Sequence, residues 1–356
     1  MTKHEAGSTV IDQVAVFLER FVFLKNKSLY LLIALWVVAT YLVETFDYIA
    51  YIFAYSAKPQ SGKSRLLEVL DELVLNSSGV LISPTPAVLF RTAHHNTQLL
   101  DEVDTLQNVD DLRGMLNAGF RKGGTVPRME QDGDGGFRVV YFPVFGPRAI
   151  AGIGRKILNQ TTRDRTFSFD MVRQTKGEKR EKFRLRKLES EITTLVDEII
   201  LWVCEHEPEV AKLYGQDFSY LENFRDRTID ITEPLAAILE AAYKGHPQLE
   251  EKRQTFLEAI ALTRNDQPEE IKELGIIQEL ARLAEKENPL VGNSTELAEM
   301  CSNLLDKPSE YDISQTLRKY GFQTKSKRKD GVPKYRYVLN YEELADLVTR
   351  YGGGSS

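Results

Sequence analysis

The sequence predicts an α/β protein whose core is a parallel sheet with helices between consecutive strands. From residue 48 onward, short stretches rich in β-branched and aromatic residues alternate with stretches that repeat apolar residues at helical spacing. The first strand runs into a polar loop, residues 57–64, that opens a helix, and the third ends in two adjacent carboxylates. Alternating strands and helices are typical of a parallel sheet with right-handed crossovers.

The first fifty residues predict a helical lead-in. Residues 9–24 repeat apolar positions at helical spacing, with Thr9 as a candidate N-cap. The apolar segment 29–43 is followed by Glu44, and at about fifteen residues it is shorter than the roughly 20 that a membrane-spanning helix needs. We interpret it as a buried core helix followed by a buried strand, with docking to a membrane as the less favoured alternative.

The elements of the core follow in order. Residues 125–145 predict a β-hairpin, because the sequence DGDGG is a strong turn signal between two extended runs. The other core elements are strands at residues 48–56, 79–83, 97–104 and 164–172 and helices at residues 64–75, 86–95 and 109–120.

The pattern changes beyond residue 175. A charged segment and then helical apolar spacing without strands predict a helical subdomain, and the last sixty residues predict two helices, a basic hairpin and a final helix. This last order resembles a winged helix-turn-helix. The resulting regions are a helical lead-in (1–50), the core (51–175), a helical lid (176–288), a winged helix (289–350) and the remnant of a tag (351–356).

Composition narrows the class of protein. The 356 residues are 42% hydrophobic and 28% charged, which excludes disordered, collagen-like and disulfide-scaffold proteins. The two cysteines, Cys204 and Cys301, are too few and too far apart for a metal cluster, so we expect a reducing, cytoplasmic location. The net charge of -6 excludes a globally basic coat, so any nucleic-acid contact must come from a local basic patch.

Residues 57–64 carry the sharpest motif: a small residue, Ala57, then four variable positions and Gly-Lys-Ser. A loop at a helix N-terminus supplies the converging N–H donors and the helix dipole that phosphates need. Lys63 would reach the β- and γ-phosphates, and the Ser64 hydroxyl would bind Mg²⁺. The alternative is a polar loop with a solvated lysine. The predicted cofactors are ATP and Mg²⁺, and the predicted ATP-binding residues of the loop are Pro59, Gln60, Ser61, Gly62, Lys63, Ser64 and Arg65.

Asp101 and Glu102 follow the third predicted strand, about forty residues after the loop lysine. This is the order in P-loop ATPases whose catalytic glutamate directly follows the metal-binding aspartate. Asp101 would hold Mg²⁺, and Glu102 would act as general base on the attacking water. Such a sequence alone also occurs on many helices, so its pairing with the loop favours the functional interpretation.

Hydrolysis also needs positive charge at the γ-phosphate. In RecA-like and AAA+ assemblies an arginine of the neighbouring subunit commonly supplies it, and Arg163 and Arg165, just before the last core strand, fit that position. Either could instead form a surface ion pair with Asp164 or Glu181.

Arg227 is the candidate in-chain sensor over the nucleotide, because it lies at a predicted helix junction of the helical subdomain. Its alternative is a structural pair with Asp230 or Glu233.

These residues resemble a P-loop ATPase family that carries an uncharacterised-function domain name and is found in plasmid-, phage- and genome-encoded proteins. The resemblance implies a P-loop ATPase core of the AAA+ or RecA-like type, with helicase relatives. Two departures stand out: Ala57 replaces the first glycine of the loop, and the strand ending in Phe145 offers no Asn or Thr as a polar sensor. The runs that carry the resemblance are YIAYIFAYSAKPQSGKSRLLEVL, LLDEVDTL, NAGFRKGGTVPRM, FPVFGPRAIAGIG, RDRTFSFDM, RDRTIDITEPLAAI and LRKYGFQTKSKR.

Two basic patches suit contact with DNA phosphates. In the core, Arg121 and Lys122 precede the predicted hairpin, and the alternative is a loop that packs against a neighbouring subunit. In the C-terminal region the alternatives are protein contacts or a solvated edge. The predicted C-terminal DNA-binding residues are Arg318, Lys319, Lys325, Lys327, Arg328, Lys329, Lys334 and Arg336.

Together these features predict an ATP-dependent DNA motor or remodeller that acts as a ring or arc of identical subunits, with a hexamer expected and a replication or mobile-element protein as a further partner. The alternative is a nucleotide-gated switch or loader that assembles a partner platform without moving along DNA. The choice between single- and double-stranded DNA stays open.

Overall fold

The computed structural model describes residues 9–106, 109–131, 136–264, 268–304, 307–329 and 332–351. The chain divides into two compact units, residues 1–264 and residues 265–356. The sequence puts the corresponding boundary at residue 288, but the helix that begins at Pro268 belongs to the second unit. The reason is packing, since Ile277 and Leu280 share a hydrophobic core with Leu297 and Leu317.

The elements of each unit are bounded as follows. The helices of the first unit are α1 (Val10–Phe21), α2 (Ser28–Tyr41), α3 (Lys63–Asp71), α4 (Pro86–Arg91), α5 (Val109–Gly119), α6 (Gln160–Arg163), α7 (Leu185–Tyr214), α8 (Asp226–Ala242) and α9 (Leu249–Arg264). Its strands are β1 (Tyr51–Ser56), β2 (Ser77–Ile82), β3 (Thr97–Asp101), β4 (Thr125–Gln131), β5 (Phe137–Pro143), β6 (Arg148–Ile153) and β7 (Thr166–Asp170). The second unit contains α10 (Pro268–Lys286), β8 (Leu290–Gly292), α11 (Ser294–Met300), α12 (Glu310–Lys319), β9 (Lys325–Lys329), β10 (Val332–Leu339) and α13 (Tyr341–Tyr351).

The two lead-in helices form as predicted. Thr9 caps α1 in a capping box: its hydroxyl accepts from the Asp12 N–H at 3.2 Å, and its own N–H donates to the Asp12 carboxylate at 3.1 Å. Helix α2 is buried from Ser28 to Thr40 because it packs between α1, α8 and α9. The Trp36 indole donates to the Ala50 carbonyl at 2.7 Å, which ties α2 to the start of β1.

None of the helices in the described residues is long and apolar enough to cross a membrane.

The central sheet has five parallel strands in the order β2-β3-β6-β1-β7. Every residue of β3 and all but one residue of β1 are buried, as expected where helices cover both faces of a parallel sheet. Because the strands are parallel, the loops that follow β1, β3 and β6 meet at the carboxyl edge, which is where ligands bind in such sheets. The arrangement is consistent with the P-loop core of the AAA+ type that the sequence predicts.

The β4–β5 hairpin forms a separate antiparallel sheet of two strands, with Met129 opposite Val139. The predicted turn at residues 132–135 lies outside the described residues. One face of the hairpin covers α4 and α5, with the Phe142 ring 4.8 Å from the Phe90 ring, centre to centre. The other face is exposed and apolar.

The fourth strand of the central sheet is β6, which sequence patterning does not identify. The predicted strand that ends at Phe145 and offers no polar sensor corresponds to β5. Strand β5 ends at Pro143 and belongs to the hairpin. Strand β6 escapes prediction because small residues, Ala149, Ala151 and Gly152, replace the β-branched residues that mark the other strands. The position after β6 is Gly154, so this edge also carries no Asn or Thr at that point.

The second unit is built around an antiparallel sheet in the order β8-β10-β9. Helices α11 and α12 precede the β9–β10 hairpin, and α13 follows it. The core of this unit includes Ile313 and Leu317 from α12 and Leu339 from β10.

Candidate active site

The loop between β1 and α3 is shaped as an anion site. Gly62 precedes α3 with a left-handed φ of +90°, and the nearest heavy atom to a Cβ built there is Met171 Cε at 3.8 Å. The left-handed φ, rather than crowding, is therefore what requires glycine. No side chain caps the first turn of α3, so its N–H groups are available to a ligand.

The Lys63 side chain is buried beside this loop without a carboxylate partner among the described residues. Its ammonium donates to the Ser56 hydroxyl at 2.7 Å and to the Ser61 hydroxyl at 3.4 Å. Burial lowers the pKa of Lys63, and the negative charges of Asp101 and Asp104 oppose that shift. A buried ammonium whose hydrogen-bond partners are two hydroxyl groups suits an anion, and the phosphates of a nucleotide fit that requirement.

Asp101 and Glu102 lie at the carboxyl end of β3, which β6 separates from β1 and its loop. Asp101 is buried, and its Oδ1 accepts from the Glu102 N–H at 2.8 Å. Glu102 is exposed and has a left-handed φ of +52°. The two neighbouring carboxylates therefore have different environments, as separate roles in metal binding and proton transfer require.

The donor set also fits Mg²⁺. Ser64, exposed in the first turn of α3, and Asp101 supply the hard oxygen ligands that this ion prefers, and it usually completes its shell with phosphate oxygens and water. The described residues contain no cluster of three or more His, Cys, Asp or Glu side chains suited to a metal ion. Ser64 and Asp101 would therefore hold the ion together with the nucleotide.

The segment that follows β7, residues 171–183, contacts the loop and was not predicted from the sequence. Arg173 Nε donates to the Pro59 carbonyl at 3.0 Å, and the Arg65 guanidinium lies 5.6 Å from the centre of the Phe183 ring. Arg65 also forms an ion pair of 2.8 Å with Glu68, one turn further along α3. No local pattern marks this segment, because its role comes from the chain crossing back over the loop.

Arg165 lies at the amino edge of the sheet, away from the loop of the same chain. Its carbonyl accepts from the Tyr51 N–H at 3.0 Å, and its guanidinium lies 4.5 Å from the centre of the Phe120 ring. Burial lowers the pKa of Arg165, and the positive charge of Arg227 adds to that shift. The six residues of β1 make five steps of about 3.3 Å, so the two edges are about 16 Å apart along this strand.

Arg227 shares this amino edge, which corrects its assignment as an in-chain sensor. Its guanidinium lies 4.8 Å from the centre of the Phe120 ring and pairs with Asp230 at 2.9 Å. The structure thus brings Arg165 and Arg227 together around one aromatic ring, and it does not bring Arg227 to Lys63. The pairing with Asp230 is the alternative that the sequence left open.

Arg163 stands two residues before Arg165, at the end of α6. Its guanidinium donates to the carbonyls of Arg155, at 3.3 Å, and Leu158. Its own carbonyl accepts from Arg264 at 3.0 Å, which ties α9 to the start of β7.

The basic residues of the core loop lie at the same amino edge. Arg121 is exposed and forms an isolated bridge with Tyr48. Lys122 is paired with Glu44 at 3.6 Å, so part of its charge is neutralised within the chain.

The C-terminal basic residues differ in their availability. Arg318 and Lys325 are exposed, whereas Lys319 pairs with Glu273 and Arg336 pairs with Glu296, each at 2.5 Å. The side chains of Lys327, Arg328, Lys329 and Lys334 lie outside the described part of the structure.

Comparison with known proteins gives one family match. The model of a family described as "Protein of unknown function (DUF3631)" matches residues 170–351, just over half of the chain. No curated protein matches the sequence. Among solved structures, the ORC2 protein of Aeropyrum pernix in its ADP form aligns at 11% identity over 89% of this chain and 92% of that chain, with a TM-score of 0.25. NtrX from Brucella abortus in complex with ATP aligns at 13% identity over 87% of this chain and 72% of that chain, with a TM-score of 0.20. At these TM-scores the two likenesses decide nothing about the site.

Proposed function

The chain belongs to the family described as "Protein of unknown function (DUF3631)", and we propose that it is an ATPase whose hydrolysis drives the movement or remodelling of DNA. The observation that carries this proposal is Lys63. Its buried ammonium donates to the Ser56 and Ser61 hydroxyls beside the glycine loop, and Asp101 and Glu102 follow β3, which β6 separates from β1. A nucleotide polyphosphate with Mg²⁺ supplies the missing negative charge.

Each residue of the site has a distinct task. The loop N–H groups and Lys63 bind the phosphates and stabilise charge that develops at the γ-phosphate. Ser64 and Asp101 hold Mg²⁺, which neutralises phosphate charge when it is bound. Glu102, exposed beside them, accepts the proton of the attacking water.

Three variants test this assignment. Lys63→Ala should weaken binding of ATP at least about tenfold, since it removes the buried charge that faces the phosphates. Glu102→Gln should keep that affinity and lower kcat by about a hundredfold or more. Lys58→Ala, which removes an exposed lysine of the same loop, is the matched control and should behave as wild type.

The measurements are equilibrium binding of a non-hydrolysed ATP analogue and phosphate release at saturating ATP. Equal loss of binding in the Lys63 and Glu102 variants would refute the role of Glu102. Hydrolysis at the wild-type rate by Lys63→Ala would refute the role of Lys63 and with it the assignment of the site.

Action as a ring or arc of subunits, with six as the expected number, is supported by the arginines of the amino edge. Arg165 and Arg227 cannot serve the nucleotide of their own chain, and a neighbour that presents its carboxyl edge to them would bring them to its γ-phosphate. Arg163 stands beside them and is tied to main-chain carbonyls. Positive charge supplied by a second subunit makes hydrolysis depend on assembly.

Binding of DNA is supported by the C-terminal unit, where Arg318 and Lys325 are exposed. We expect the variant with Arg318→Ser and Lys325→Ser to lose DNA affinity and to reduce the salt slope of log K by about 1 to 2. Arg336→Gln is the matched control, because Arg336 is already paired with Glu296. Titration of labelled duplex and single-stranded DNA at several salt concentrations measures the salt slope of each variant. An unchanged slope in the double variant would mean that DNA contacts other residues.

The second candidate function is a nucleotide-gated switch or loader without translocation. The carboxyl end of β6 favours it, since Gly152, Ile153 and Gly154 carry no polar side chain to position water, which suits slow hydrolysis. ATP-driven displacement of a DNA strand would exclude the pure switch. A protein that stays monomeric with ATP and DNA, and whose ATPase rate DNA never raises, would exclude the motor.

A further inference from the structure

Asp104 joins the turn after β3 to the carboxyl end of β6. It lies in a short 3-10 turn, Val103–Thr105, that directly follows Glu102. Its Oδ1 accepts a hydrogen bond of 2.9 Å from the Ile153 N–H, the last residue of β6. A polar side chain from the β3 turn therefore lies at the end of β6, where β6 itself has no polar side chain.

The turn sits on β6 through a close approach that only glycine allows. A Cβ on Gly152 would lie 2.8 Å from Ile157 Cδ1, 3.0 Å from Val103 Cγ2 and 3.1 Å from Asp104 Oδ1. A side chain at this position would therefore crowd the Val103 and Asp104 side chains of the turn as well as Ile157.

The same turn holds the backbone of Glu102 in its left-handed conformation. The Glu102 carbonyl accepts from the Thr105 N–H at 2.9 Å and from the Thr105 hydroxyl at 2.8 Å. The Thr105 hydroxyl lies 2.5 Å from the hydroxyl of Ser83, just past β2. A left-handed φ in a glutamate is unfavourable, so it persists only because neighbouring groups hold it.

The turn thus connects the ends of three strands beside the phosphate site. Its charge also reaches the lysine of that site, since Asp104 is one of the two carboxylates that oppose the lowering of the Lys63 pKa. Asp104 itself is exposed.

We propose that Asp104 is a positioning residue for hydrolysis: by holding the β3 turn against the end of β6, it fixes where the Glu102 carboxylate meets the attacking water. This inference rests on the proposed ATPase function. Asp104 lies outside β6 but anchors the carboxyl end of β6 at the site.

Two substitutions separate the hydrogen bond from the rest of the side chain. Asp104→Asn keeps an oxygen that can accept from the Ile153 N–H, whereas Asp104→Ala removes it. We expect Asp104→Ala to lower kcat by about tenfold to a hundredfold, the effect of a small misplacement of a catalytic group, with affinity for a non-hydrolysed ATP analogue within about twofold of wild type. Asp104→Asn should restore most of kcat. Asp197→Ala, an exposed aspartate on α7, is the surface control.

A second readout does not depend on activity. Hydrogen exchange followed by mass spectrometry in peptides that cover residues 148–157 should be faster in Asp104→Ala and close to wild type in Asp104→Asn. Loss of ATP-analogue affinity in parallel with kcat, or equal kcat loss in both variants, would overturn the positioning role. Wild-type kcat in Asp104→Ala would overturn it while leaving the ATPase proposal intact, and an inactive wild type would overturn both.

Discussion

Arg148 carries a positive charge in the interior of the sheet without a carboxylate partner among the described residues. Its guanidinium donates to Gln98 Oε1 at 2.8 Å, to the Val144 carbonyl at 2.6 Å and to the Gly146 carbonyl at 2.9 Å. It also lies 5.4 Å from the centre of the Tyr51 ring, and burial lowers its pKa. One residue thereby fixes the exit of the hairpin to β3 and β1, the strands that lead into the candidate active site.

We predict that Arg148→Met destabilises the first unit by about 3 kcal/mol, because several buried acceptors lose their donor. Arg138→Met, which removes an exposed arginine of β5, should stay within about 0.5 kcal/mol of wild type. Urea unfolding followed by circular dichroism measures both. An unchanged midpoint for Arg148→Met would mean that water replaces the lost donor.

Single residues also show what sequence patterns can reveal about the site. Gly62, Lys63 and Ser64 are predictable because phosphate binding needs a fixed local order of residues, and Asp101 with Glu102 is predictable as a strand end. The roles of Asp104 and Arg148 are not predictable from the sequence, because their hydrogen bonds join strands that are neighbours only in the folded sheet.

Among the elements, the β4–β5 hairpin has two unlike faces. Phe137, Val139 and Tyr141 alternate along β5 and are each more than half exposed, with Met129 beside them on β4. The opposite face packs on α4 and α5 through Phe142. Exposed aromatic side chains on one face suit stacking against unpaired bases.

We predict that the variant with Phe137→Ser and Tyr141→Ser leaves the free energy of unfolding within about 0.5 kcal/mol of wild type and weakens binding of single-stranded DNA. Phe142→Ala, on the packed face of the same strand, should instead cost about 2 to 3 kcal/mol. Urea unfolding and fluorescence anisotropy with a labelled oligonucleotide separate the two effects. Unchanged DNA affinity in the double variant would assign the exposed face to a protein contact.

The elements show where periodicity succeeds and fails as a predictor. The P-loop strand, the acidic strand and the hairpin follow from runs of β-branched or aromatic residues and from a turn signal. Strand β6 does not, because its small residues lack strand propensity: Ala149 and Ala151 are buried, and Gly152 lies close to the β3 turn.

At the scale of the whole molecule, the arginines and the loop lysine occupy opposite edges of one sheet. Under the ATPase function proposed above, one half of a hydrolytic site would lie with Lys63 and Glu102, and the other half with Arg165 and Arg227. Neighbouring subunits that meet edge to edge would complete each site.

Mixing of inactive variants tests this arrangement. Lys63→Ala and the variant with Arg165→Ala and Arg227→Ala should each lose most ATPase activity alone. Mixed subunits should regain activity, because a chain with an intact loop then meets a neighbour with intact arginines. For a hexamer mixed at random in equal parts, we expect about a quarter of the wild-type rate, since each site needs two suitable chains. No recovery on mixing would place the arginines in a role within their own chain.

The sequence by itself determined the anion loop, its acidic partners, the buried lead-in helices and the order of elements in the C-terminal unit. These features depend on residues that are near one another along the chain, where spacing and capping act directly. Only the tertiary structure decided that β6 belongs to the central sheet, that α10 belongs to the second unit, and that Arg227 faces away from the loop of its own chain. The physical reason is that strand order and the packing of buried side chains set which ends of distant segments meet, and no local pattern encodes that.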